Sequence, residues 1–166
     1  MSRATVRSGI ATWFGGGHVA FLSTVYPYPP KTSKESDAFA GEAPGTASGA
    51  VGWVHLGEQM ERRIAMGGPT NGMKLRLYKA AVLILLRSQH PKAEDAGADH
   101  DTLMDAFTAR LEAGRTLGGT VFQAGEGDTR GGEDIKVTVD LPKVANGGTT
   151  YIWARVEFTA QEILNT

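Results

Sequence analysis

Alternation of apolar and polar residues with a period of two constrains this chain most, because only a strand sends successive side chains to opposite faces. Near the C-terminus Ile152, Ala154, Val156 and Phe158 alternate with Tyr151, Trp153, Arg155 and Glu157. Ile135, Val137, Val139 and Leu141 keep the same period upstream, and Asn146-Gly147-Gly148 lies between the two stretches. This arrangement predicts a hairpin over 134–158. A longer hairpin is predicted over 50–87. Its first strand starts near Ala50 with Val51, Trp53 and His55 and continues through Met60, Ile64 and Met66. Gly67-Gly68-Pro69-Thr70-Asn71-Gly72 is turn chemistry, and Met73, Leu75 and Leu77 open the return strand. That strand passes into the unbroken apolar run Ala80 to Leu86, the pattern of a strand half-exposed at its start and buried on both faces at its end. Leu75, Tyr78, Val82 and Leu86 also fit a helical spacing, so a helix over 75–87 is the rival reading.

Helical spacing marks two further segments. Val6, Ile10, Trp13 and Phe14 share one side of a helix running from Ser2 to Phe14, which Gly15, Gly16 and Gly17 end. Thr102 with Asp105 forms a capping-box pattern, and Leu103, Met104, Phe107 and Leu111 follow at helical spacing up to Gly114. Val19 to Tyr26 supplies a short strand, and Pro27, Pro29 and Pro30 then force an extended exit. Lys31 to Gly49 holds almost no apolar anchor except Phe39 and reads as a long loop or mobile arm. Gln89 to His100 reads as a polar connection, Thr120 to Gln123 as a short strand, and Glu162 to Thr166 as a closing helical turn. The predicted architecture is α+β: a mainly antiparallel or mixed sheet with two helices packed on one face. It forms a single domain over 1–166 with an arm or loop at 31–49.

Composition enters through what it excludes. The chain has 22 glycines in 166 residues, about 13% against an average near 7%. Eighteen of the 22 gather at 15–17, 41–49, 67–72, 114–119, 125–132 and 147–148, between predicted elements, where tight turns and adaptable loops use them. The absence of cysteine excludes disulfides, thiolate metal sites and cysteine nucleophiles. With 17 basic and 18 acidic residues and no dense basic patch, the chain is not built to hold nucleic acid by neutralising its phosphates. Its longest apolar run is too short to cross a bilayer, and the N-terminus lacks the apolar core of a signal peptide, so the expectation is a soluble protein made inside the cell.

No motif carries recognisable catalysis. His90 and His100 lie near Glu94, Asp95, Asp99 and Asp101, but no histidine pair has the one-turn spacing of a zinc protease, and a solvated loop accounts for them. His55 shares a strand face with Val51 and Trp53 and reads as a packed or interface imidazole. The loop from Gly125 to Asp134 mixes glycine with four carboxylates, yet they miss the ligand positions of an EF-hand, and a mobile hairpin or inter-subunit loop is the favoured reading. Gly67 and Gly72 have phosphate-loop spacing, but Met73 stands where the lysine is needed. Gly15 to His18 lacks the nucleophile elbow that an esterase oxyanion loop requires. No catalytic, cofactor-binding or metal-ligating residue is therefore assigned.

A wider pattern does emerge from Asp105-x-x-x-x-Arg110-Leu111, Arg115-Thr116-Leu117-Gly118-Gly119, Gln123-Ala124-Gly125-Glu126 and Thr150-x-Ile152-Trp153-Ala154-x-Val156-x-Phe158. Upstream stand Ser2-Arg3-Ala4-x-Val6, Val25-Tyr26-Pro27, Ala43-Pro44-Gly45 and Gly49-Ala50-Val51-Gly52. Taken in order, these strings resemble the tail terminator proteins of long-tailed, non-contractile bacteriophages, especially those of actinobacterial hosts. The resemblance implies a structural virion protein without enzymatic activity. It implies a homo-oligomeric, hexameric ring on the head-proximal end of the tail tube, assembled in the host cytoplasm. That ring stops tube polymerisation and joins the tail to the connector, with the tail tube protein below it and a neck or stopper protein above. DNA passes through its lumen without specific binding, which predicts a neutral or acidic lumen. A head–tail connector or stopper is the alternative within the same class; a calcium-binding module or small hydrolase is the alternative outside it. The expected assembly contacts are the hairpin tip (Gly67, Gly68, Pro69, Thr70, Asn71 and Gly72), Phe39 of the arm, and Glu126, Asp128 and Arg130 of the glycine-rich loop.

The calcium alternative is tested by thermal melting. A ligand selective for the folded state raises the melting temperature, so the expected outcome is no shift on adding calcium, and a concentration-dependent rise would assign the Gly125–Asp134 loop a metal.

Overall fold

A computed structural model describes residues 2–29, 31, 34–39, 48–65, 72–125, 135–145 and 147–165. Helix α1 spans Arg3–Phe14, strand β1 Leu22–Tyr26, a short 3-10 turn Glu35–Phe39, β2 Ser48–Ala65 and β3 Met73–Ser88. Helix α2 spans Ala93–Ala113, followed by β4 Gln123–Ala124, β5 Ile135–Val139, β6 Lys143–Val144 and β7 Thr150–Asn165. One seven-stranded mixed sheet results. β1 pairs parallel to β2, the order continues β2-β3-β7 antiparallel, and β4, β5 and β6 each pair with the far side of β7.

The apolar run in β3 is explained by its position. Each residue from Met73 to Ser88 has a partner in β7, and β2 pairs along nearly the same length on the other side. An interior strand has both faces available for burial, so Ala80, Val82, Ile84 and Leu86 face the helices while Ala81, Leu83 and Leu85 face the other way. The 75–87 segment is accordingly a strand. Both predicted hairpins form, β2–β3 and β5–β7, and the latter is in register from Ile135↔Phe158 to Val139↔Ala154.

Both helices pack on one face of the sheet. Val6, Ile10 and Phe14 of α1 and Leu103, Phe107 and Leu111 of α2 are fully buried with Val54, Val82, Ile84, Val156 and Phe158 beneath them. Phe14 stacks on Phe107 with ring centroids 4.0 Å apart and meets Phe158 at 6.3 Å. At the helix–helix contact the Arg110 guanidinium lies 3.7 Å over the Trp13 ring. Trp13 Nε1 donates to the Arg110 carbonyl at 3.3 Å, and Arg110 Nε donates to the Trp13 carbonyl at 3.2 Å. Gly114 makes this approach possible, since a Cβ there would overlap the Trp13 ring.

Helix α1 also protects a sheet edge. Its N-cap is Ser2, whose Oγ accepts the Thr5 amide at 3.2 Å. β1 pairs only as far as Tyr26↔Trp53, and beyond that point β2 loses its outer neighbour. Arg7 donates to the Val54 carbonyl at 2.8 Å and Arg3 to the Leu56 carbonyl at 2.8 Å, replacing the missing strand where the register shifts between Leu56 and Gln59.

Several segments differ from what the sequence predicts. Residues 93–100 are helix, not connection: Ala96 and His100 extend the buried stripe of α2 by two turns, in a stretch whose other residues are acidic, alanine or glycine. Thr102 is therefore mid-helix, its hydroxyl donating to the Ala98 carbonyl, and is no cap. The 162–165 segment is strand, because β7 continues to Asn165 along the long β3 partner. His55 is exposed on its strand face and so is not packed within its own subunit, the first of its two expected roles. The predicted strands at 19–26 and 120–123 also shrink or shift, to Leu22–Tyr26 and Gln123–Ala124.

Gly114→Ala is expected to destabilise the protein by about 1–3 kcal/mol by overpacking the Trp13–Arg110 contact. Urea unfolding measures the loss, and the loss should shrink in a Trp13→Leu background, where the overlapping ring is absent.

Candidate functional site

The face of the sheet opposite the helices carries its own apolar cluster. Val51 and Trp53 from β2, Leu85 from β3 and Tyr151 from β7 are buried there, with Leu83 and Trp153 half-buried beside them. Trp53 and Trp153 meet at 5.6 Å between ring centroids. The Glu35–Phe39 turn covers this cluster. Phe39 is buried, with the Arg87 guanidinium 4.3 Å from its ring centroid and Tyr151 at 6.4 Å.

The other end of the turn is held by charge. The Glu35 carboxylate accepts from the Trp153 indole N–H and lies 3.6 Å from Lys143 Nζ. Its pKa is held below the ordinary carboxylate value, first by a hydrogen bond from its own backbone amide and then by Lys143 and Trp153, against the opposing effect of partial burial. Beside Glu35 an open groove of about 380 Å³ is lined by Leu83, Thr138, Asp140, Lys143, Trp153 and Arg155.

At the far end of the long strands, the register places Glu61, Arg76 and Glu162 in one cross-strand row. Arg76 bonds Glu61 at 2.6 Å and approaches Glu162 at 3.6 Å, while the Tyr78 hydroxyl donates to Glu162 at 3.2 Å. The hydrogen bond from Arg76 lowers the Glu61 pKa, and burial raises that of Tyr78. This acid–base–acid row ties the three strands together past the reach of the helices. Met60, Ile64 and Met73 are exposed on the same stretch. A second set of exposed apolar side chains, Val137, Val139, Leu141 and Val144, follows the β5–β6 margin.

Of the assembly residues expected from the sequence, Phe39 and Gly72 are described. Phe39 packs within its own subunit, and Gly72 is buried at the start of β3. Gly67, Gly68, Pro69, Thr70, Asn71, Glu126, Asp128 and Arg130 lie outside the described residues, as does most of the Gly125–Asp134 loop. Sequence reasoning missed Glu35, Arg87, Lys143 and Trp153. The available signal was an acid four residues before the lone aromatic of a polar segment.

The histidines separate into different environments. His90 Nε2 lies 2.9 Å from Asp99 Oδ2, and Ser88 Oγ accepts from the His90 backbone amide, not from its ring. With Ser88 fully buried, this grouping lacks the exposed, base-activated hydroxyl of a nucleophilic triad. His100 is buried on α2, and its Nε2 has no hydrogen-bond partner among the described residues. Among the described residues no three His, Asp or Glu side chains come together to hold a metal ion. No helix there is long and apolar enough to cross a membrane. No known protein-family model matches the chain, and no curated protein matches it significantly.

Burial lowers the His100 pKa below its ordinary value near 6.5, with Asp101 opposing. Above about pH 6.5 both folded and unfolded forms are neutral and stability is full. As the pH falls further the unfolded chain binds a proton that the folded chain resists, and stability is lost until the folded pKa is passed. His100→Leu should therefore lose less stability than the wild type between pH 7 and 5.5 in urea unfolding. Equal losses would assign the dependence to other groups.

Proposed function

We propose that this chain is a structural assembly subunit, a tail terminator of a long, non-contractile-tailed bacteriophage. In this reading its copies close into a sixfold ring on the head-proximal end of the tail tube. The ring ends tube growth and presents a surface to the neck. The resemblance described above suggests the role. The observation that carries it furthest is the pair of non-equivalent apolar margins, Val137, Val139, Leu141 and Val144 on one and Met60, Ile64 and Met73 on the other.

A cyclic assembly needs two different, complementary patches on every subunit, whereas a twofold dimer needs only one self-complementary patch. Apolar side chains left in water at two separate places on one sheet meet that need. Strands β2, β3 and β7, of 18, 16 and 16 residues, extend the sheet well beyond α1, and the Met60, Ile64 and Met73 patch stands on that extension.

Light scattering and negative-stain imaging of the purified protein should show sixfold rings; a monomer at all concentrations would overturn the reading. Leu141→Asp with Val144→Asp should dissociate the ring while changing subunit stability by no more than about 0.5 kcal/mol, because both side chains are exposed. A phage lacking the protein should release detached tails with overlong tubes. Tubes of normal length beside tailless heads would assign the neck position instead.

A further inference from the structure

The outer-face cluster is filled from within the chain by a segment that binds as a ligand does. The Glu35–Phe39 turn anchors at its two ends through side chains: a carboxylate on Lys143 and the Trp153 indole, and an aromatic ring between Arg87 and Tyr151. These anchors are four residues apart, one helical turn. Between them Ala38 is buried against the same cluster.

The anchoring surface does not end with the turn. The rows across β3 and β7 run from Arg87↔Tyr151, under Phe39, through Leu85↔Trp153 to Leu83↔Arg155. The last row lies in the open groove, which shares Trp153 and Lys143 with the Glu35 contact. Lys143 and Arg155 both stand in this lining with Asp140, Lys143 met by Glu35 of the turn and Arg155 by Glu157. Among the described residues Arg155 pairs with Glu157, two residues along its own strand, at 3.0 Å; both side chains are substantially exposed, and such a pair contributes little.

We propose that the outer sheet face is a peptide-docking site kept occupied by the chain's own Glu35–Phe39 turn, and that its partner is an acidic protein segment with a carboxylate four residues before an aromatic ring. Such a segment reproduces the Lys143–Trp153 and Arg87–Tyr151 contacts. It adds a further acid that reaches Arg155 in the groove. The additional contact matters because the tethered turn competes at a high effective concentration, on the order of millimolar for short flexible tethers. A partner that only copied the turn would lose that competition. The proposal concerns the subunit and stands whether or not rings form.

The test uses the full chain and a synthetic peptide, acetyl-DDESDAF-amide, which repeats residues 35–39 behind two extra acids. The control is acetyl-DDQSDAA-amide. Binding is read from tryptophan emission, since Trp53 and Trp153 line the site, and from amide chemical shifts across 138–155. Glu35→Gln removes the competing carboxylate at constant size from a partly exposed position. That variant is expected to bind the peptide at least tenfold more tightly than the wild type, and adding Arg155→Ala should reverse at least tenfold. Thermal melts confirm folding of each variant. If Glu35→Gln does not melt cooperatively, the wild-type amide shifts, peptide against control, decide. No saturable binding at millimolar peptide, equal binding of the control, or equal affinity of Glu35→Gln and wild type would overturn the proposal. Ring formation on its own leaves these outcomes unchanged, so the two readings fail separately.

Discussion

Strand β3 has no open edge over most of its length, and the rest of the molecule follows from that constraint. Its backbone groups are used on both sides by β2 and β7, so its side chains are committed to two faces, and both must find cover. The helices cover one face. Phe14, Phe107 and Phe158 close that core, and the Trp13–Arg110 contact holds the two helices against each other. On the other face cover comes from the Glu35–Phe39 turn, a much smaller element, which leaves a groove beside it.

Lengths then decide where the molecule is exposed. Sixteen residues of strand extend roughly 50 Å, whereas the 12 residues of α1 make about 18 Å of helix. Towards the far end the inner face changes chemistry, from the buried Tyr78, over whose ring Arg3 of α1 lies, to Glu61, Arg76 and Glu162. The exposed Met60, Ile64 and Met73 belong to this same overreach. The surfaces available for partners are thus a geometric result of long strands that outrun helix α1.

Legibility in the sequence tracked how local each signal was. The β5–β7 hairpin and α1 were readable because their periodicity is unbroken and their turns carry glycine. The start of α2 was not, since Ala96 and His100 are its only buried markers among Glu94, Asp95, Gly97 and Asp99. The end of β7 was misread as a helical turn because Gln161, Glu162 and Ile163 show no clear alternation; their strand state is imposed by pairing with Leu75, Arg76 and Leu77. Phe39 stood out as the lone aromatic of its segment, but whether it faced a partner or its own sheet depended on Arg87 and Tyr151, both distant in sequence.

By itself the sequence determined the class of fold and the C-terminal hairpin, and for 75–87 it favoured a strand over a rival helix without deciding between them. Those follow from side-chain periodicity and turn chemistry, which act over a few residues. Only the tertiary structure decided that Glu35 would meet Lys143 and Trp153, that Arg3 and Arg7 would complete the open edge of β2, and that Glu61, Arg76 and Glu162 would form one row. Each of these depends on strand register and on which helix lies over which edge. Register is a property of paired segments, and no single segment carries it.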